Sequence, residues 1–198
     1  MRHFCLGDEL VKRKVIISLS ILFSLGMAVL FIVYLIKHDH TRWQVALGGI
    51  FVSMLPLGLL KMKNNPFNTP IIVSYYLFLF CSLYLGSISS FYLNFKWWDS
   101  TIHFFKGMFV GFVGISLFKR WIPQQARSNV SAGVLFLFVL SLAVSSSVLW
   151  EIYEFVGDLT LTHTMQRGGN KDTMLDLLCG LAGGLITAFY SILRKRSI

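Results

Sequence analysis

Residues 98–118 read WDSTIHFFKGMFVGFVGISLF, and in this stretch Asp99, His103, Gly107 and Gly111 recur at every fourth position of an otherwise apolar run. A four-residue step on an α-helix keeps side chains on one slowly drifting stripe. Two titratable groups therefore stand above a glycine ridge on a single face. The same pattern returns at Asp172, Asp176, Gly180 and Gly184. A third stretch carries Ser147, Glu151, Glu154 and Asp158 at offsets of four, seven and eleven, again one helical face but without glycine. Ionisable side chains are costly in long apolar helices, and where they occur they mark function by default.

Working outward from residue 98, the whole chain is built of such runs. Hydrophobic residues make up 55% of its 198 positions and charged residues 14%, outside the range of ordinary soluble domains. About 20 residues are needed to cross a bilayer, and six blocks approach or exceed that length: 15–36, 43–60, 71–93, 101–118, 131–155 and 173–193. A buried helix of a soluble protein explains one such block but not six. The expected fold is all-α, a polytopic six-helix transmembrane bundle forming one integral membrane domain over 1–198. Helices one to three (1–96) carry no charge within their spans and read as scaffold; helices four to six (97–193) carry the motifs. Pro56 predicts a kink in the second span, and Pro70 a start for the third.

Lys12, Arg13 and Lys14 before the first block resemble the opening of a signal peptide, yet the 22-residue run exceeds an h-region and no small-x-small cleavage site follows. A retained first helix is expected. Cys5 stands near the start while Cys81 and Cys179 fall inside spans, a distribution that suits neither a disulfide framework nor a metal set.

The net charge of +9 alternates between loops rather than forming one patch, which argues for membrane topology and against nucleic-acid binding. Twelve Lys and Arg lie in the N-terminus, the second and fourth loops and the C-terminus, against five in the first, third and fifth loops. The positive-inside rule then makes both termini cytoplasmic. Trp43, Trp97, Trp98 and Trp150 fall at the outer boundary and Trp121 at the inner one, as an aromatic belt requires. In this orientation Asp99, Glu151, Glu154, Asp158, Asp172 and Asp176 meet with His103 at one level on the extracytoplasmic side. Lys106 faces the same way, one turn deeper.

Gly107-x-x-x-Gly111 and Gly180-x-x-x-Gly184 are small-residue ridges that permit close helix packing in lipid, directly below the paired polar residues. The connection 156–172 is long for so short-looped a chain and holds Asp158, His163, Gln166, Arg167 and Lys171 around Gly168 and Gly169. Long loops in small folds are functional or disordered. A lid or substrate contact through Asp158, Gln166 and Arg167 is the expectation, set against a plain surface loop in which Arg167 and Lys171 balance nearby acids and His163 and Met165 are ordinary loop residues.

Three chemistries suit this set. A divalent metal, Mg²⁺, Mn²⁺ or Zn²⁺, wants carboxylates and an imidazole converging from several helices, and Asp99, His103, Glu151, Glu154, Asp172 and Asp176 supply two per helix. Metal-free acid/base work would use crowded carboxylates with His103 as proton shuttle. In the third, the acids pair with Lys106, Arg167 and Lys171 or stay wet at the membrane boundary, and have no chemical role.

Trp98-Asp99-x-x-x-His103-Phe104-x-x-Gly107, then Glu151-Ile152-Tyr153-Glu154-Phe155, then Gln166 followed by Asp172-Thr173-x-x-Asp176 and Gly180-Leu181-x-Gly183 resemble the YjdF family of bacterial inner-membrane proteins. The broader VanZ-like group, named for a glycopeptide-antibiotic resistance accessory protein, is similar in its Asp-x-x-x-His-Phe start and its late Asp before a glycine. The resemblance covers residues 97–190. The chain departs from the YjdF pattern at Gly168, Gly169 and Asn170, where a further acid is usual, and at Phe118 and Lys119, where a Glu is usual. The resemblance implies a multi-pass protein of the bacterial plasma membrane and no particular reaction. The expected function is a metal-assisted step on a lipid-linked or cell-envelope substrate, with the six acid and imidazole residues as ligands or base. The alternative is a non-enzymatic envelope, antibiotic-resistance accessory or transport protein that uses the same pocket for binding or ion coupling. The bilayer is the partner this composition requires; the oligomeric state is not encoded in it.

Overall fold

The computed structural model describes residues 2–63, 65–160, 165–166 and 168–195, and among them every regular element is helical. Six helices are long and apolar enough to cross a membrane: Glu9–Ile36, His40–Lys61, Thr69–Ile88, Trp98–Trp121, Ala132–Thr160 and Asn170–Leu193. The second and fourth, expected to be 18 residues, run to 22 and 24. Polar residues at their ends, Asp39 and His40 in one case and Asp99 and Lys119 in the other, are taken into the helices or cap them. The chain divides into two compact units, Met1–Phe95 and Lys96–Ile198.

In the first unit, helices α1 (Arg2–Ile36), α2 (His40–Met54) and α3 (Thr69–Leu79) pack around Ile16, Ile72, Tyr76 and Leu79. Asp39 caps α2 by accepting from the Arg42 backbone N–H at 3.1 Å and from Arg42 Nη1 at 2.6 Å. Burial works against the Asp39 charge, but the bonds to Arg42 outweigh it and hold the carboxyl below the usual carboxylate range.

Pro56 ends the α geometry of α2, as expected, and the span continues as a 3₁₀ helix over Leu55–Lys61. Proline has no N–H to give to the carbonyl four residues back, and an unsatisfied carbonyl is expensive in a membrane. Tyr75 donates to that carbonyl, Val52 O, at 2.7 Å, and Tyr76 donates to Ser53 O at 3.0 Å. Val52 O also accepts from Leu55 N, so replacing Tyr75 by Phe leaves it one partner of two and is expected to cost about 0.5–1.5 kcal/mol. A thermal melt of Tyr75→Phe in detergent no lower than that of the parent would refute this account of the kink.

Asn68 caps α3 through Ile71 N at 3.1 Å, with Pro70 in the first turn. The third span then widens into a π-helix over Phe80–Ile88 and stops there, five residues short of the expected boundary at residue 93. Ser90 takes a left-handed conformation, φ +63°, where Arg42 Nη2 donates to its hydroxyl at 2.7 Å and Arg42 Nε to Ile88 O at 2.9 Å. The short helix α4 (Phe91–Asn94) folds back so that the Tyr92 ring lies against Gly86, and the Tyr92 hydroxyl pairs with Ser82 Oγ at 3.0 Å. Nothing apolar in the sequence marks this break, because its cause is an arginine on another helix.

The second unit holds α5 (Trp98–Trp121), a short α6 (Gln124–Arg127), α7 (Ala132–Thr160) and α8 (Asn170–Leu193), and in it α5, α7 and α8 each pack against the other two. One end of this unit is an apolar core of Ile115, Phe118, Leu135, Val139 and Ala188. Arg127 closes the C-terminus of α5 by donating to the carbonyls of Ile122, at 2.9 Å, and Lys119. Helix α7 continues to Thr160 and α8 begins at Asn170, so both ends of the connection expected over 156–172 are helical. Gly157 is tolerated inside the helix, where it lies against Met165, and Asp158 stays on the helix. Its carboxylate accepts from Met165 N at 3.0 Å and Gln166 N at 2.9 Å, which turns the chain back toward α8.

Candidate functional site

Close approach of backbones positions the site. A Cβ on Gly107 would fall on the carbonyl oxygen of Gly180, and one on Gly183 would fall on the carbonyl of Phe104 and within 2.9 Å of Met108 N. Gly111 lies against Thr187. The α8 ridge that faces α5 is therefore Gly180, Gly183 and Thr187, whereas Gly184 turns to Ala143 of α7. Gly180 touches both neighbours, since a Cβ there would also meet Ser147 of α7. The expected Gly180–Gly184 pairing is thus split between two helix contacts, because residues three and four apart diverge around a helix once both sides are packed.

Directly beyond this ridge the polar residues converge on one imidazole. His103 is 1% exposed; its Nε2 faces Asp99 Oδ1 at 3.6 Å and its Nδ1 faces Glu151 Oε1 at 3.3 Å. Asp99, His103 and Asp176 present ligand atoms all within 4.8 Å of one another, and so do His103, Glu151 and Glu154. Asp176, 2% exposed, accepts from Ser100 Oγ at 2.9 Å. Glu154 accepts from the indole N–H of Trp150 at 2.9 Å. Five of the six residues expected to act together thus share one imidazole as their hub. Asp172 belongs to neither triad and accepts from Gly168 N at 3.4 Å. Asp158 and Gln166 hold the connection, Gln166 through a 3.2 Å bond to Thr173. Arg167 and His163 lie outside the described residues.

Lys106 is 5% exposed, and among the described residues no carboxylate oxygen lies within 4 Å of its ammonium. Its Nζ stands 3.3 Å from His103 Nδ1 and 4.8 Å from the centre of the Trp150 ring. The sequence places Trp150 in an interfacial belt; the fold makes it a wall of the site. Ser100 was also missed, although its position three residues before His103 puts it on the same helical face. Four carboxylates thus surround one imidazole and one ammonium, a set that favours further positive charge. Two of its buried atoms, Glu151 Oε1 and Ser147 Oγ, receive no hydrogen bond.

Fold and site together define a multi-pass helical membrane protein with a buried acid–imidazole cluster in its C-terminal half. Residues 19–197 match the family model DUF2238, described as predicted membrane protein, and the chain belongs to that family. The YjdF-like resemblance is consistent with this membership. The chain is also similar to an uncharacterized protein of Thermotoga maritima, 36% identical over 113 residues, a match covering 54% of this chain and 56% of that protein. The chain thus matches little more than half the length of this relative. No solved structure matches it.

Proposed function

We propose that the cluster binds one divalent metal ion and assists a reaction of a lipid-linked or cell-envelope substrate in the bacterial plasma membrane. The observation that carries this reading is the shared imidazole: His103 completes a triad with Asp99 and Asp176 on one side and with Glu151 and Glu154 on the other. Several carboxylate oxygens with one imidazole nitrogen suit Mg²⁺, Mn²⁺ or Zn²⁺. The deep burial of His103 and Asp176 keeps such ligands rigid and dry. A bound ion of this kind supplies Lewis acidity toward a phosphoryl or carbonyl oxygen and acidifies its water. Whichever triad holds the ion, the acids of the other are left to accept a proton, and Ser100 fixes the orientation of Asp176. Elemental analysis of the chain purified in detergent tests the reading; absence of any stoichiometric divalent metal, before and after incubation with Mn²⁺ or Zn²⁺, would dismiss it.

The envelope side is supported by the charge distribution, from which the positive-inside rule expects both termini in the cytoplasm. In a cysteine-free background, a cysteine replacing Lys171 is expected to react with an impermeant thiol reagent added outside intact cells, and one replacing Arg127 to stay unlabelled. The reverse pattern would move the site to the cytoplasm and remove envelope substrates.

Lys106 supports a second reading. An ammonium already inside a carboxylate cluster suits an ion-coupling or binding protein, including an accessory role of the VanZ-like kind, in which protonation replaces metal. That reading predicts a metal-free parent protein.

A further inference from the structure

With Lys106 in place, neither nitrogen of His103 is open to an ion. An ammonium has protons to give and no lone pair, so at 3.3 Å from Nδ1 it donates and Nδ1 accepts. The ring's own proton is then on Nε2, the nitrogen that faces Asp99 Oδ1 at 3.6 Å. Asp99 is therefore placed as the outer carboxylate that a metal-bound histidine ordinarily has on its other nitrogen. The one lone pair of the imidazole is at Nδ1. Glu151 Oε1 faces it at 3.3 Å, in a residue 6% exposed, and receives no hydrogen bond. Two lone pairs aimed at one another away from water call for a cation between them. Lys106 meets that need only in part: its ammonium reaches Nδ1, but no carboxylate oxygen of the described residues lies within 4 Å of it.

We propose that a divalent ion enters this cluster by displacing Lys106 from His103 Nδ1, and that its ligands are Nδ1, Glu151 and Glu154, with Asp99 the outer partner of the Nε2 proton. The proposal rests on the metal reading above and assigns the ion to one of the two triads. Lys106 is then a tethered competitor. It holds the lone pair while no ion is bound, and its flexible four-carbon stem lets the ammonium withdraw when one arrives. Trp150 steadies both partners, with its ring 4.8 Å from the ammonium and its indole N–H donated to Glu154 at 2.9 Å.

The test titrates Mn²⁺ into the full chain in detergent and reads binding from the loss of the free-ion EPR signal. Lys106→Met removes the competitor and is expected to bind at least about tenfold more tightly than the parent, as loss of a hydrogen bond made by a charged group implies. Glu154→Gln keeps an acceptor for Trp150 but removes a ligand, and should weaken binding more than about 100-fold, whereas Asp99→Asn, an outer partner, should weaken it about 10–100-fold. Because the competition is for Nδ1, Lys106→Met combined with His103→Ala should bind no more tightly than His103→Ala alone. A lysine that acted only through its charge would still confer a gain there. Equal or weaker binding by Lys106→Met, a gain that persists without His103, or a larger loss from Asp99→Asn than from Glu154→Gln overturns the proposal while the metal reading stands. Binding in Lys106→Met with none in the parent overturns both, since the ammonium is then never displaced, and so does no binding in any variant. Nitrogen NMR of His103, assigned by its absence in His103→Ala, needs no Lys106 variant and decides the matter if Lys106→Met does not fold. The metal-free parent is expected to show Nε2 protonated and Nδ1 bare, and Zn²⁺ to move the Nδ1 resonance most. A proton on Nδ1, or the larger shift at Nε2, overturns the proposal.

Discussion

His103→Ala is expected to yield a protein that inserts and folds yet holds no divalent metal. The imidazole is common to both triads, so its removal leaves each with two carboxylates and no nitrogen. Loss of an outer-shell partner typically lowers metal affinity about 10–100-fold, and loss of this shared ligand should exceed that. Asp176→Asn is the sharper companion, because the amide oxygen still accepts from Ser100 and the packing is kept while the charge is lost. Four carboxylates crowd around His103 and none pairs with Lys106 within 4 Å, so in metal-free protein Asp176→Asn should leave the melting temperature unchanged or raise it. Metal content and thermal stability, measured together against Asp8→Asn as a control, decide the matter. Were the cluster only an ion-pair scaffold, the same variants would lower stability by several kcal/mol and the parent would carry no metal.

Gly107→Ala is expected to damage the same site from below. Its added methyl would fall on the Gly180 carbonyl, a backbone atom of α8 that cannot rotate away as a side chain would. Overpacking of this kind costs about 1–3 kcal/mol and at times more, and here the strain separates the two helices that carry His103 and Asp176. Metal occupancy should fall with stability, although no ligand has been touched. Gly183→Ala, aimed at the backbone of Phe104, should behave alike. Gly48→Ala is the contrast, since nothing lies within 4 Å of a Cβ there. Equal melting temperatures for Gly107→Ala and Gly48→Ala would show that the close α5–α8 approach is not what supports the site.

How these residues come together was partly legible beforehand. The four-residue steps at Asp99–His103 and Asp172–Asp176 lie in blocks long enough to span a bilayer, so the polar residues of helices four to six had to share one level. Span ends were less legible. The third span closes at Ile88 because Arg42 hydrogen-bonds Ile88 and Ser90, and α7 runs on to Thr160 because Asp158 accepts from the backbone of a returning chain. Both causes are contacts between residues distant in sequence, to which a window of hydrophobicity is blind. Asp172, equal to Asp176 by spacing, falls outside both triads because one further turn carries it away from His103 to Gly168.

The sequence by itself determined the helical membrane architecture, the two motif-bearing glycine stripes and the level at which the acids and His103 gather. Helix periodicity and bilayer thickness are local rules that apodictically act on one segment at a time. Only the tertiary structure decided that Gly180 and Gly183, rather than Gly180 and Gly184, face α5. It alone put Trp150 beneath Lys106, Ser100 on Asp176, and a different acid on each nitrogen of His103. Those pairings depend on how far each helix is rotated about its axis and how closely two backbones approach. Both are fixed by the packing of three helices against one another, which no single stretch of sequence contains.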